Sequence, residues 1–199
     1  MPESDKSVGI DLGIEYFATF DDGKVIENPR FFKQSEKELA KAQRKVSNLK
    51  KGTRKRRKKV KQVSKIHKKI SNQRKNFCHQ ESRKIIDKYQ NIYIEDINIK
   101  KMIQGSHYAK SITDASWNQF RQYLTYKAEY AGRNLGLVNP AYTTQDCSKC
   151  RRREKKEISE RIHVCKTCGY TAPRDKNSGQ NIKALGIDSL GKTPRSFRL

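Results

Sequence analysis

No run of about 18 apolar residues occurs in this sequence, which excludes a transmembrane helix. The opening residues Met1-Pro2-Glu3-Ser4-Asp5-Lys6 lack the apolar core of a secretory signal, so an intracellular, cytoplasmic protein is expected. Acidic residues are scarce: 21 Asp and Glu stand against 45 Lys and Arg, a formal net charge of +24 in 199 residues. A polyanionic partner follows from that imbalance. Apolar residues make up only 34% of the chain. They cluster in short runs, so a real core with basic extensions is expected rather than a disordered chain. No internal repeat is present. The length suits one medium domain, or a domain with a small module.

An even cysteine count is lacking too. The five cysteines fit a disulfide framework poorly. Cys147, Cys150, Cys165 and Cys168 form C-x2-C, 14 residues, C-x2-C. Two tight turns at this spacing each offer two thiolates to one tetrahedral zinc. Cys78 stands apart and reads as a small buried hydrophobe.

Residues 7–13, Ser-Val-Gly-Ile-Asp-Leu-Gly, read as a buried strand carrying one carboxylate, Asp11. Residues 16–20 form a second apolar run, Asp21-Asp22-Gly23 a hairpin turn, and residues 24–27 the return strand, ended by Asn28-Pro29. Ser35 and Glu38 have the spacing of a capping box. Leu39, Ala42, Val46 and Leu49 follow at helical intervals, and Lys50-Lys51-Gly52 is a stop signal. Thr53 begins a second helix with the stripe Val60, Val63, Ile66, Ile70 and Phe77. The pair predicts a helical hairpin over residues 35–88.

Acid is absent altogether from residues 39–80, which hold 17 Lys or Arg. A charge run is usually a solvated face. Here the lack of any compensating acid favours phosphate contact. Arg54, Arg56, Arg57, Lys58, Lys59 and Lys61 are the candidates.

Residues 92–97 read as a strand carrying Glu95, and residues 98–112 as a mobile loop. Asp114 is placed to cap a helix over residues 115–134, with Trp117, Phe120, Leu124 and Ala128 on one face. Core packing is the first reading of Trp117. Stacking on single-stranded bases is the alternative for Trp117 and Tyr142. Residues 136–139 form a short strand stopped by Pro140, and Asp175 precedes a helix over residues 176–185 with Gly186 as its stop.

Asp11, Glu95 and Asp175 stand out because buried carboxylates are costly unless paired. Lys or Arg could partner them, and helix capping alone would explain Asp175. The other solution is divalent metal: two magnesium ions about 4 Å apart activate a water and stabilise the leaving oxygen of a phosphodiester.

The ordered set Gly9-Ile-Asp-Leu-Gly13, Tyr93-Ile-Glu-Asp-Ile-Asn98, Asp114-Ala-Ser-Trp117, Cys147-x2-Cys150, Cys165-x2-Cys-Gly169 and Arg174-Asp-x-Asn177 closely resembles the TnpB family. Its members are transposon-encoded, RNA-guided DNA endonucleases, often labelled OrfB-type transposases. The resemblance runs from about Ser7 to Ile187. It implies an α/β, RuvC-like fold of the RNase H type, a mixed sheet flanked by helices with the zinc ribbon inserted. It implies that Asp11, Glu95 and Asp175 bind two catalytic Mg2+ or Mn2+ ions, beside one structural Zn2+. DNA and a guide RNA are the implied partners, and a prokaryotic, nucleoid-associated location follows. The domain expectation is a disordered leader over 1–6, a nuclease core over 7–142, the zinc ribbon over 143–170, a last nuclease segment over 171–187 and a tail over 188–199.

Three departures stand out. Family members usually carry Gly soon after the second ribbon cysteine; here Arg151-Arg-Arg153 follows, and Arg151, like Arg174, becomes a candidate phosphate contact. Two Ala usually follow the final Asn; here Ser178 and Gly179 do, which weakens the helix by about 1 kcal/mol at the glycine. The family's guide-holding N-terminal half has no counterpart in these residues, so a separate chain supplying it is an expected partner. A catalytically silent nucleic-acid-binding module, or a decayed fragment of a mobile element, is the alternative to a nuclease.

Overall fold

The computed structural model describes residues 5–104, 106–157 and 159–190. Strand alternation sets its architecture. In β1 (Ser7–Leu12), Val8, Ile10 and Leu12 enter one apolar core, while Gly9 and Asp11 take the opposite face. β2 (Tyr16–Phe20) pairs antiparallel with β1, and β3 (Val25–Glu27) antiparallel with β2. Gly23, at φ 92°, makes the turn between them, a conformation that favours glycine. β4 (Asn91–Glu95) lies parallel to β1, and β5 (Asn134–Val138) parallel to β4. The sheet is mixed, in the order β3-β2-β1-β4-β5.

The basic hairpin forms from α1 (Phe31–Ser47) and α2 (Arg54–Lys88). Thr53 caps α2 by accepting from the Arg56 amide at 3.3 Å, and Gly52 turns the joint at φ 85°. Leu39, Ile66 and Ile70 close the hairpin's own small core. Two expectations need correction. α1 starts at Phe31, so Ser35 is a buried helical residue rather than a cap. Val60 is exposed, outside the apolar stripe.

The stretch expected as a mobile loop contains α3 (Ile99–Ile103) and α4 (Ala109–Ala115). α5 (Trp117–Ala131) follows through Ser116 in a left-handed turn, and Gly132 at φ 64° ends it. Together α2 and α5 cover the Val8, Ile10 and Leu12 face of the sheet. Phe17 anchors that layer, with its ring edge-on to Phe77 and Phe120 at 4.9 Å each. Cys78 is fully buried there, as expected, and burial pushes its thiol up to about 12.

The opposite face is covered by α6 (Arg174–Leu190), which seats Ile182 on Tyr93 and Val138. Its glycines permit the approach. A Cβ on Gly9 would lie 2.1 Å from the Gly179 carbonyl oxygen, and one on Gly186 would lie 2.1 Å from the Tyr93 ring. Gly186 is therefore a packing glycine inside α6, not its stop, and α6 extends into the expected tail. Residues 1–4 of the expected leader and 191–199 of the tail lie outside the described residues. Between β5 and α6, β6 (Ile162–Val164) and β7 (Thr171–Pro173) form a small antiparallel hairpin beside the cysteines. No helix among the described residues is long and apolar enough to cross a membrane.

Candidate functional site

The β1–β4 register runs Ser7 against Asn91 through Ile10 against Ile94. One further step sets Asp11 beside Glu95. Both are odd-numbered on their strands, so both point to the α6 face. α6 brings Asp175 there in its first turn, where the helix dipole favours an acid. Asp175 lies within the helix rather than before it. The three carboxylates line one cleft of about 1140 Å³.

Burial raises Asp11 well above the ordinary carboxylate range; the charges of Glu95 and Asp175 add to this, and Arg174 opposes it. Burial also raises Glu95, against the Thr143 hydroxyl, which donates to its Oε1 at 2.5 Å. Arg174 places its Nε 3.4 Å from Asp175 Oδ1, so this expected phosphate contact stands among the carboxylates. The three acids share this cleft, but among the described residues only the four cysteines bring their ligand atoms within 4.8 Å of one another.

The four ribbon cysteines bring their sulfurs within 4.8 Å of one another. Cys147 and Cys168 are 3.7 Å apart, Cys150 and Cys165 3.5 Å. A tetrahedral zinc with 2.3 Å bonds requires sulfur–sulfur edges of about 3.8 Å. The backbone amide of Cys168 pulls the Cys165 thiol down to about 6, while desolvation and the neighbouring thiols push Cys168 up to about 12. The departure at Arg151 also resolves: the loop turns tightly, with Arg151 at φ 63° donating its amide to the Cys147 carbonyl. The arginine occupies a conformation that favours glycine.

Sequence reasoning missed how this module is attached. Asn177 accepts from the Ser148 amide at 2.9 Å and donates to the Asp146 carbonyl at 2.8 Å. Asn181 donates to the carbonyls of Thr143 and Asp146 at 2.8 and 2.7 Å. Thus α6 fixes Thr143, which in turn holds Glu95. The available signal was two asparagines four residues apart on a buried helix face.

Of the remaining candidates, Arg54, Arg57, Lys58 and Lys61 are exposed along α2, with Arg56 and Lys59 half-buried. Trp117 is buried in the core and borders the cleft. Tyr142 is half-exposed, and the Arg153 guanidinium covers its ring at 3.4 Å. One of its two faces is thus already occupied by arginine.

The sequence profile of the OrfB_IS605 family, described as "Probable transposase", matches residues 1–105. That of the Cas12f1-like TNB domain matches residues 117–182. A protein from Streptomyces pristinaespiralis, provisionally named an RNA-guided DNA endonuclease, is 33% identical over 94% of this chain and 46% of its own length. The CRISPR-associated endodeoxyribonuclease Cas12f1 of Sulfoacidibacillus thermotolerans is 31% identical over 93% of this chain and 47% of its own. The chain spans about half the length of the curated relatives it matches. The fold is shared with the protein of a Cas12f ternary complex, at a TM-score of 0.67 and 18% identity over 92% of this chain and 40% of that one. A Cas12f1–sgRNA–target DNA complex gives 0.64 and 17% over 92% and 51%. The first profile covers more than half of the chain, and the chain belongs to the OrfB_IS605 family.

Proposed function

We propose, from that membership and from the cleft, that this chain forms the nuclease part of a TnpB-like, RNA-guided DNA endonuclease. The single observation that carries the reading is that Asp11, Glu95 and Asp175, from three distant segments, line one cleft. The strand order supports a RuvC-like fold of the RNase H type: three antiparallel strands extended by two parallel ones. Asp11, Glu95 and Asp175 would hold Mg2+ or Mn2+, which when bound lowers the pKa of a water and stabilises the leaving oxygen of the phosphodiester.

The chain's own residues supply the rest. Thr143 fixes the rotamer of Glu95 by its hydroxyl. Arg174 balances the carboxylate charge before a cation arrives. Cys147, Cys150, Cys165 and Cys168 would hold one zinc and keep Thr143 in place. The α1–α2 hairpin offers its cations to a phosphate backbone, so target DNA and guide RNA are the proposed partners.

The test is magnesium-dependent cleavage of single- and double-stranded DNA, with and without guide RNA and a chain supplying the N-terminal half of a longer relative. Asp11→Ala, Glu95→Ala and Asp175→Ala should each lower cleavage by about 10³-fold or more, since such residues act as a unit. Binding should persist. Cleavage by Asp175→Ala at the wild-type rate would reduce Asp175 to a helix-dipole residue. If wild type binds but never cleaves, the chain is a binding module. Replacing Arg56, Arg57, Lys58 and Lys59 with Gln should flatten the log–log salt dependence of duplex binding by up to about 3.6, at about 0.9 per phosphate.

A further inference from the structure

Asp114 was expected to cap its own following helix. It lies instead in the last turn of α4, buried, and serves two other elements. Its Oδ1 and Oδ2 accept from the Phe32 amide at 2.9 and 3.0 Å, at the start of α1. Its Oδ1 also accepts from Arg74 Nε and Nη2 at 3.0 and 2.7 Å, midway along α2. α1 cannot cap itself: Arg30 at its N-cap is left-handed and makes no side-chain cap, and its first turn holds no acid. A carboxylate 82 positions away in sequence completes the helix.

The three elements joined here are the two arms of the basic hairpin and a wall of the carboxylate cleft. Tyr108, Lys110 and Ser111 line that cleft from the α4 side, Phe32 and Lys33 from α1. A second tie, Lys110 Nζ to Glu36 Oε1 at 3.1 Å, joins the same walls but is exposed and weak. Both Asp114 oxygens accept from protein donors, and Asp114 belongs to no metal-ligand cluster among the described residues.

We infer that Asp114 is a positioning residue that clamps the root of the basic hairpin to the α4 wall, so that nucleic acid gripped by the hairpin enters the cleft beside Asp11, Glu95 and Asp175. This rests on the nuclease reading for its chemistry, but the clamp itself is a separate claim. A misplacement of about 1 Å in such a site costs about 10²-fold in rate.

Asp114→Asn keeps an acceptor for the Phe32 amide and loses the charge opposite Arg74. Arg74→Lys keeps the charge and loses the two-pronged geometry. Three readouts apply to the full chain: hydrogen exchange at residues 31–36 against residues 91–95, photo-crosslinking of 5-iodouracil single-stranded DNA to Tyr108, and kcat with Mg2+. In each variant the amides of residues 31–36 should exchange about tenfold faster while residues 91–95 are unchanged. Crosslinking and kcat should fall about tenfold at saturating DNA, with Kd within about threefold of wild type. The double variant should be no worse than the poorer single one, because the two residues act through each other. Wild-type exchange at residues 31–36 in a folded Asp114→Asn overturns the clamp. Faster exchange with undiminished crosslinking overturns its positioning role, as does a wild-type protein that never crosslinks at Tyr108. A wild type that crosslinks but does not cleave defeats the nuclease reading alone, and the crosslinking ratio still decides the role of Asp114.

Discussion

The two faces of one sheet are built on different physics. On the α2–α5 side, Val8, Ile10, Ile92, Ile94 and Phe17 meet other apolar side chains, and burial does the holding. On the α6 side, the same strands present Gly9, Asp11, Tyr93 and Glu95. Here the cover is a helix pressed onto glycines, an asparagine pair and a four-cysteine module. A face that carries charge cannot also be sealed with apolar bulk. The contrast teaches that the carboxylate face borrows its rigidity from the opposite core and from groups far along the chain.

Metal removal should break that contrast most. A strong chelator, or Cys147→Ser, should lose a zinc-linked stabilisation of about 10 kcal/mol within the module. Elemental analysis should give one zinc per chain beforehand. Order should be lost around Thr143 and β6–β7, and with it cleavage, while near-ultraviolet circular dichroism of the aromatic core persists. Loss of both together would mean that the faces are one cooperative unit.

Phe17→Ala should come next, at about 3–5 kcal/mol of global stability, because it removes the ring that joins α2 to α5. Gly9→Ala should cost about 3 kcal/mol, because the added Cβ would meet the backbone of α6, the Gly179 carbonyl oxygen at 2.1 Å and the Lys183 amide nitrogen at 2.5 Å, and the helix must lift off the sheet. Its signature should differ from that of Phe17→Ala. Cleavage should fall further than stability does, because the lift carries Asp175 away from Asp11. Urea unfolding beside cleavage rates separates the two cases.

What the sequence made legible followed the same division. Alternation in residues 7–13 and the double C-x2-C are local patterns, and both the strand and the sulfur cluster are present. The remote dependencies were illegible. Gly186 has the propensity of a helix stop, but the Tyr93 ring beneath it turns its missing side chain into a packing requirement. Asp114 has the position of a cap, but the helix it caps begins at Phe31. Residues 98–112 carry one brief helical interval, Ile99, Met102 and Ile103, too short to stand out, and two short helices form where Ile99, Ile103 and Ile112 reach the main apolar core. In each case the deciding partner lies tens of residues away, where no window of sequence can find it.

The smallest effect expected is also the one with an unusual sign. In Mg2+-free protein, burial and the neighbouring carboxylates hold the Asp11 pKa above its unfolded value, and burial raises Glu95 in the same direction. Below about pH 4 the Asp11 carboxyl is protonated in both states and contributes nothing. As pH rises from there towards the raised value, the unfolded chain loses the proton while the folded one keeps it. Stability therefore falls with pH across that window, and the whole penalty stands above it. Asp11→Asn removes the charge that cannot be accommodated. It should raise the Tm measured at neutral pH in buffer free of Mg2+ and of chelator, with the zinc retained, and the gain should shrink as the pH is lowered towards 4. Added Mg2+ should narrow or reverse the order, because the wild type gains binding energy that the variant has lost. An Asp11→Asn protein less stable than wild type at neutral pH in the same Mg2+-free, zinc-retaining buffer would show that Asp11 holds the fold together, and the division between the two faces would fail at its centre.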